Sequence, residues 1–330
     1  MRAITYSNFG SARDVLSLSD MPSPEPQAGE VLVNIAFSGV NPSDVKRRSG
    51  ARPGETELPY PAICPHSDGA GVITGVGAGV DASRVGERVW IWNGQFDRAM
   101  GTATEEMTIA AEQAVPLPDG VPLEAGASLG IPGLTAAHVV FGGGDIAGQT
   151  VLIHGGNGSV GHLAVQLAKW GGARVIATAR PAGFYRCGAA GADTVLDYTS
   201  QTLATDILAA TNGAKVDRII DVEFGENIHT NAAVIANRGT ICAYGSAKNM
   251  SPQIPFGPLL FGAVTIDIVL IYILSETERA RAIDKLHQAL KTGALTCPVA
   301  EIYPLAQTVQ AHEAVELAQR VGAVLVDVKA

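Results

Sequence analysis

Cysteine is scarce and scattered in this chain: four residues, Cys64, Cys187, Cys242 and Cys297, with no C-x-x-C pair among them. That spacing argues against a disulfide framework and against a cysteine-built structural zinc site. Charge is sparse as well, at 17% of residues, and the formal net charge is −9 with no cluster of Lys or Arg standing out. An acidic surface without a basic stripe makes nucleic acid or an anionic membrane an unpromising main partner. Long hydrophobic runs are missing too. The longest, Val264 to Leu274, is too short to span a bilayer and is interrupted by Asp267. No basic segment followed by an apolar stretch opens the chain, so no secretory signal is read and a reducing, cytoplasmic setting is expected.

What the chain does have is glycine, 38 of 330 residues, and a hydrophobic content of 47%. The length suffices for two domains with substantial cores. Over the first 120 or so residues, short strand candidates (RAITYS, EVLVNIAFSGV, DGAGVITGVG, ERVWIW, EEMTIA) alternate with Gly, Pro, Asn and Asp. From about Leu123 the texture changes. Strand candidates at 150–155, 173–179, 194–198, 216–222 and 239–245 are separated by amphipathic helices, the pattern of a right-handed βαβ sheet. The apolar, β-branched run 264–274 is expected to be a sixth strand, then a helix over 276–292 closed by Gly293, a helix around 305–319 and a last strand, AVLVDV. A sixth strand of that composition is either buried under a helix or an edge that pairs with a second copy, and a homodimer through 264–274 is the expectation.

Residues 150–161, TVLIHGGNGSVG, carry the most information. A β-branched run ends in four glycines within seven residues, and the helical segment SVGHLAVQLAKW follows at once. Gly156, Gly158 and Gly161 satisfy G-x-G-x-x-G between a strand and a helix, the context that gives the pattern meaning. The turn must be tight, main chain without Cβ must approach a diphosphate, and the helix must pack hard on the strand. Its first-turn N–H groups then face the anion with the positive end of the helix dipole behind them. Dinucleotide binding by Gly156, Asn157, Gly158, Ser159, Val160 and Gly161 is the reading, with a glycine-rich structural turn as the alternative. His154, just ahead of the glycines, is read as a hydrogen-bonding partner of the turn.

The second strand, ending Ala179-Arg180-Pro181, carries no Asp or Glu to hold a ribose hydroxyl. A guanidinium suits a 2′-phosphate, so Arg180, with Arg186 and Tyr198 as companions, predicts NADPH; the alternative is that Arg180 is an ordinary surface residue. Val222 follows the fourth strand and Ala243-Tyr244-Gly245 the fifth, at strand ends where ligands sit in such sheets.

MRAITYSNFG, SGVNPSDVKRRSG, PHSDGAGVITGVGAGV, VGERVW, LPDGVPLEAGASLGIPGLTAAHVV, the glycine turn and AHEAVELAQRVGAVLVDV together resemble the medium-chain dehydrogenase/reductase superfamily, and within it the zinc-free quinone oxidoreductase (zeta-crystallin-like) group. The resemblance implies an α/β fold: a Rossmann doubly wound parallel sheet at 124–296, and a β-rich GroES-like catalytic domain at 1–123 completed by 297–330. It also addresses zinc. Where zinc-dependent relatives carry two Cys ligands, this chain has Asn41 and Ile131, and His66 stands offset by about one residue from the His ligand. One possible ligand cannot hold a tetrahedral catalytic zinc, so no metal is expected.

By the same resemblance, Asn41 and Asp44 lie beside the nicotinamide on a loop facing the cleft between domains, and Thr135 contacts the nicotinamide. Asp44 has a second reading as the helix cap of NPSDVKRR, and Thr135 as a helix-terminal hydroxyl. Tyr60 and Tyr244 are proton-donor candidates or pocket walls. The family's usual Gly-Lys pair before the last strand is Gly322-Ala323 here, and its lysine after the second strand is absent. The implied activity is NADPH-dependent, zinc-independent hydride transfer to a quinone or other conjugated carbonyl. Reduction of an enone, alkenal or enoyl thioester is the alternative, and Arg47, Arg48 and Arg52 near the expected entrance keep the thioester variant open. An NADPH-binding redox-sensing or structural protein is the non-enzymatic alternative.

Overall fold

In EVLVNIAFSGV the fully buried Val31, Val33 and Ile35 alternate with the less buried Leu32 and Asn34 and face one core, in the longest strand among the described residues. It belongs to a first stretch of β1 (Arg2–Thr5), α1 (Ala12–Val15), β2 (Ser17–Asp20), β3 (Glu30–Val40), α2 (Pro42–Ser49), β4 (Asp68–Val76), β5 (Arg88–Ile91), β6 (Glu106–Ala110), β7 (Ala114–Pro116) and α3 (Leu123–Gly126). The middle alternates α4 (Leu134–Phe141), β8 (Thr150–Ile153), α5 (Ser159–Trp170), β9 (Arg174–Ala179), α6 (Phe184–Ala189), β10 (Thr194–Asp197), α7 (Leu203–Ala210), β11 (Val216–Asp221), α8 (Phe224–Val234), β12 (Ile235–Ala243), α9 (Phe256–Phe261), β13 (Thr265–Ile268) and α10 (Glu276–Lys291). The chain closes with β14 (Val299–Pro304), α11 (Thr308–Glu316) and β15 (Ala323–Asp327). The computed structural model describes residues 1–51, 54, 56–317 and 320–330.

Two compact units result, Met1–Ile131 with Cys297–Ala330, and Pro132–Thr296. In the first, β14-β15-β3-β4-β5-β7 form one sheet with β6 added along β3, and β1 pairs with β2. The pairs are antiparallel except β14–β15, which is parallel because α11 carries the chain across between them. The second unit is a six-stranded parallel sheet ordered β10-β9-β8-β11-β12-β13, so strand order reverses between β8 and β11. That is the doubly wound, Rossmann arrangement, and the reversal point lies at the strand that feeds the glycine turn. Each unit has its own apolar core, the first around Val33, Ile35, Ile63 and Ile109, the second around Leu152, Ile176, Ile219 and Ile241. Each such fully buried side chain is worth roughly 1.5–3 kcal/mol over exposure, so neither sheet needs a metal or a disulfide to hold it.

Three expectations change. The sixth strand is four residues, Thr265–Ile268, not the whole of 264–274; Val269 turns inward, its N–H on the carbonyl of Ala243, and Ile271–Ile273 form a 3-10 turn. From Ile268 to Leu274 the run is wholly apolar and carries no period, so sequence alone could not tell strand from turn there. The helix expected around 305–319 opens with a 3-10 turn at Leu305–Gln307 and runs as α11; residues 318 and 319 lie outside the described ones. The chain leaves the first unit after Ile131, further along than the change of texture at 123, because α3 and the start of the π-turn, as far as Ile131, stay with the first sheet. The backbone N–H of Ile131 is bonded to Asp68 Oδ1 at 2.8 Å.

Candidate functional site

The glycine turn lies between β8 and α5, and its four glycines do different work. Gly155, outside the G-x-G-x-x-G triplet, takes the left-handed conformation with φ +70° that makes the turn tight. Gly156 packs so that a Cβ would stand 2.9 Å from Ala177 Cβ and 3.2 Å from Cys187 Sγ. Gly158 caps α5, and at Gly161 a Cβ would lie 2.2 Å from the Gly155 carbonyl oxygen. Only bare main chain closes this corner. The N–H groups of Ser159, Val160 and Gly161 stand in the first turn of α5, where the helix supplies no acceptors.

A buried polar chain holds the turn from below. Asn231 Nδ2 donates to Asp221 Oδ2 at 2.6 Å, which turns the Asn231 carbonyl towards His154 Nε2 at 2.9 Å. His154 therefore carries its proton on Nε2, and its Nδ1 accepts from Thr178 Oγ1 at 3.2 Å. The Thr178 oxygen in turn accepts the N–H of Gly155 at 3.3 Å, while the Thr178 carbonyl takes that of Gly156 at 2.9 Å. His154 is thus a support of the turn, as its place before the glycines suggested.

Around the turn, Arg180 is exposed at the end of β9 with its guanidinium 5.9 Å from the Tyr198 ring centre. Arg186 donates from Nη1 to the carbonyl oxygen of Asn157 at 3.1 Å, and burial lowers its pKa. His162, one turn into α5, is pulled down to about 4 by burial and by Arg186. Thr135 is buried in the first turn of α4. Val222 is exposed just past β11; the N–H of Tyr244 bonds the Asp221 carbonyl and that of Phe224 the Gly245 carbonyl, stitching together the ends of β11 and β12, where Ala243 is buried. Burial, followed by the charge of Asp221, raises the Tyr244 phenol well above its ordinary range, so that hydroxyl stays protonated.

In the first unit, α2 starts at Asn41. Its backbone N–H bonds Asp44 Oδ2 at 2.8 Å, so Asn41 is the N-cap and Asp44 closes the capping box from the third helical position, which is the helix-capping role that NPSDVKRR permitted. The Asn41 Nδ2 donates to Asp68 Oδ2 at 2.8 Å, and Asp68 Oδ1 takes the Ile131 N–H. The fully buried Asp68 carboxyl thus joins the two positions that would carry cysteine ligands in a zinc-dependent relative. Burial raises its pKa, Asp44 pushes in the same direction, and the two donated hydrogen bonds oppose them. His66 is directed elsewhere. Its Nδ1 meets Ser38 Oγ at 2.8 Å and its Nε2 meets His312 Nε2 at 2.9 Å, with the rings stacked. Ser38 Oγ lies 2.7 Å from Thr102 Oγ1, which donates to the Asp68 carbonyl. Burial pulls His66 down to about 3 and His312 in the same direction, so both rings are neutral. Among the described residues no group of three or more His, Cys, Asp or Glu is arranged to hold a metal ion.

Tyr60 donates its hydroxyl proton to the Asp97 carbonyl at 2.7 Å and, with Phe9 and Pro59, lines a cavity of about 560 Å³. Of the arginines, Arg48 is buried with Nη1 on the Gly10 carbonyl and Nη2 on Glu316, Arg47 is buried against Gln95, and Arg52 lies outside the described residues. Sequence reasoning missed Asp68, although it stands in the PHSDGAG segment, because its partners lie at residues 41 and 131, far off in sequence. It missed His312, Thr178 and Asn231 for a plainer reason: each meets its partner only through tertiary folding.

Residues 27–119 match the family model of the alcohol dehydrogenase GroES-like domain, and residues 159–288 that of the zinc-binding dehydrogenases. The quinone oxidoreductase of Rattus norvegicus is 30% identical over 317 residues, covering 95% of this chain and 93% of the relative. A mycobacterial protein, Rv1454c, solved in complex with NADPH superimposes with a TM-score of 0.85 at 30% identity, covering 99% of both chains. The Escherichia coli quinone oxidoreductase, also complexed with NADPH, superimposes with a TM-score of 0.85 at 25% identity, covering 99% of this chain and 100% of that one. The chain is therefore an oxidoreductase of the medium-chain dehydrogenase/reductase superfamily and belongs, within it, to the quinone oxidoreductase group.

Proposed function

We propose that this protein binds NADPH and reduces a quinone or another conjugated carbonyl without a metal ion. The observation that carries the reading is the bare main chain of Gly155–Gly161 at the start of α5, with Arg180 and no carboxylate at the end of β9. NADPH, when bound, supplies the hydride. The amides of Ser159, Val160 and Gly161 and the Ser159 hydroxyl hold its diphosphate. Arg180, backed by Tyr198, meets the 2′-phosphate, and Arg186 adds positive charge from beside Asn157. Thr135, Val222, Ala243, Tyr244 and Gly245 line the cofactor groove.

In the first unit, which serves as the catalytic domain, Asn41 is the polar group offered to the reactants. Because Asp68 takes one of its N–H groups and the start of α2 engages its side-chain oxygen in a capping box, the amide orientation is set, and the second N–H is the group offered to the reactants. Asp44 shapes α2 through the capping box, and Tyr60, whose proton is committed to Asp97, is a pocket wall. Zinc independence is supported by the donor set: an amide at 41, a backbone N–H at 131, and a histidine at 66 with both ring nitrogens spent. The four free cysteines suit a reducing, cytoplasmic setting.

We further propose a homodimer through the edge of the parallel sheet. β13 is the terminal strand, and half of the exposed large apolar side chains among the described residues fall between 250 and 273, with Phe261 87% and Ile268 69% exposed. Replacing Ile268 with Lys should halve the mass seen by sedimentation; a wild-type monomer would end this part of the reading.

The function is tested by following NADPH oxidation with a panel of simple quinones, enones and enoyl thioesters. Turnover of a conjugated carbonyl by chelator-treated protein is expected. Saturable NADPH binding without oxidation by any acceptor would favour a binding protein, and no saturable binding would sink the reading.

A further inference from the structure

The proposed reaction leaves one motif unused, the basic run Lys46-Arg47-Arg48 on α2, and its three cations have different surroundings. Lys46 is exposed to solvent. Arg48 is buried but compensated, by the Gly10 carbonyl and by the carboxylate of Glu316. Arg47 is only 7% exposed and has no such compensation. All its hydrogen bonds leave from Nη1, to the Gln95 carbonyl at 3.0 Å and to Gln95 Oε1 at 2.9 Å. Gln95 carries no charge, and its own Nε2 is bound to the Arg98 carbonyl at 2.9 Å, so its amide cannot turn over. Nε of Arg47 is enclosed with no partner, Nη2 makes no hydrogen bond, and no carboxylate pairs with the guanidinium among the described residues. In a chain with 32 acidic residues against 23 Lys and Arg, this buried cation has no anion beside it among the described residues.

Its position is specific. α2 opens at Asn41, which is tied to Asp68. Gln95 stands in the loop after β5, and Gly94 of that loop donates its N–H to the Ser67 carbonyl at 2.8 Å, next to Asp68. The guanidinium, its loop and the Asn41–Asp68 pair are therefore one hydrogen-bonded piece of the first unit.

We propose that Nη2 of Arg47 receives an anionic group, a carboxylate or sulfonate, carried by the electron acceptor, so that the enzyme selects anionic conjugated carbonyl compounds over neutral ones. The proposal rests on the reductase reading for what binds beside Asn41. Binding replaces water at a buried cation with a charge-assisted hydrogen bond and supplies the missing counter-charge. Such a bond is worth about a tenfold or greater change in affinity.

The test compares 1,4-naphthoquinone-2-sulfonate with neutral 2-methyl-1,4-naphthoquinone in wild type, Arg47→Lys and Arg47→Gln, each with NADPH. The readout is the ratio of the two kcat/KM values, which a general disturbance of α2 or of the Gln95 loop lowers for both acceptors alike and leaves in place. Arg47→Gln should reduce the ratio about tenfold or more through KM of the sulfonate, with Arg47→Lys in between. A ratio that survives Arg47→Gln overturns the proposal. Calorimetric binding of naphthalene-2-sulfonate against 2-naphthylmethanol to wild type needs neither turnover nor a variant, and equal affinities there would overturn it as well. Failure of the reductase reading is seen separately, as no oxidation of NADPH by either quinone.

Discussion

Mild acid should destabilise the first unit through the pair His66–His312. Both imidazoles are 0% exposed and are joined Nε2 to Nε2 at 2.9 Å, so one donates and the other accepts. A proton on the accepting ring turns that contact into donor against donor and places a cation in an apolar core, close to the positive charge of Arg48. Burial sets His66 at about 3 in the fold, against 6.5 for the free side chain. The sign follows from where the proton binds first. A base whose pKa is lowered by folding takes its proton earlier in the unfolded chain, so its contribution is intact above pH 6.5 and drains away as pH falls towards the folded value. Between pH 7 and pH 5 those two values remove about 2 kcal/mol through His66 alone. His312 is shifted the same way and adds to the loss. Against a typical total stability of about 5–15 kcal/mol that is a large fraction. Urea midpoints at pH 7 and pH 5 measure it, with His312→Gln as the partner experiment. The substituted amide keeps a donor for His66 Nε2 yet cannot titrate, so the drop between the two pH values should shrink by about 1–2 kcal/mol. His162, His138 and His287, also lowered by burial, contribute equally to both proteins and cancel. An identical pH dependence in wild type and variant would refute the assignment.

Other perturbations have similarly defined outcomes. Gly161→Ala puts a methyl group 2.2 Å from the Gly155 oxygen, so the turn must open; NADPH binding by fluorescence titration should weaken at least about tenfold, and unchanged affinity would show that the turn does not touch the cofactor. Arg180→Ser should raise the dissociation constant for NADPH by about tenfold and leave that for NADH alone, whereas equal effects on both would remove the side chain from phosphate recognition. Asp68→Ala strands the donors of Asn41 and Ile131 in a buried place and should lower stability by about 2–5 kcal/mol in urea unfolding; a loss below 1 kcal/mol would mean that the carboxyl ties nothing together.

The sequence made the frame of the fold legible wherever a period or a turn residue announced it. TVLI before four glycines and SVGHLAVQLAKW after them fixed β8, the turn and α5, and the 2-to-3.6 change of period separated the two units. The end of the strand within 264–274 is not legible because Ile268 to Leu274 is wholly apolar, and β14 carries too little alternation to announce itself. In the candidate site, the residues that sequence proposes are those contiguous with a motif, Gly156 to Gly161 and Asn41 with Asp44 among them. Asp68 and His312 were not, since a carboxyl bridging residues 41 and 131, and a ring meeting His66 across 246 positions, leave no local trace. The tight-turn glycine itself, Gly155, sits one place ahead of the pattern and was hidden by it.

The line of bonds from Asp221 through Asn231, His154 and Thr178 to the Gly155 amide has a consequence for how the cofactor is received. Each member has a single proton arrangement, so the loop proposed to hold the diphosphate is poured and set before any ligand arrives. Entropy that a slack loop would surrender on docking has already been given up during folding. Association should then resemble a key meeting a cut lock, with backbone amide exchange in 154–161 slow in the free protein and scarcely slower in the bound one.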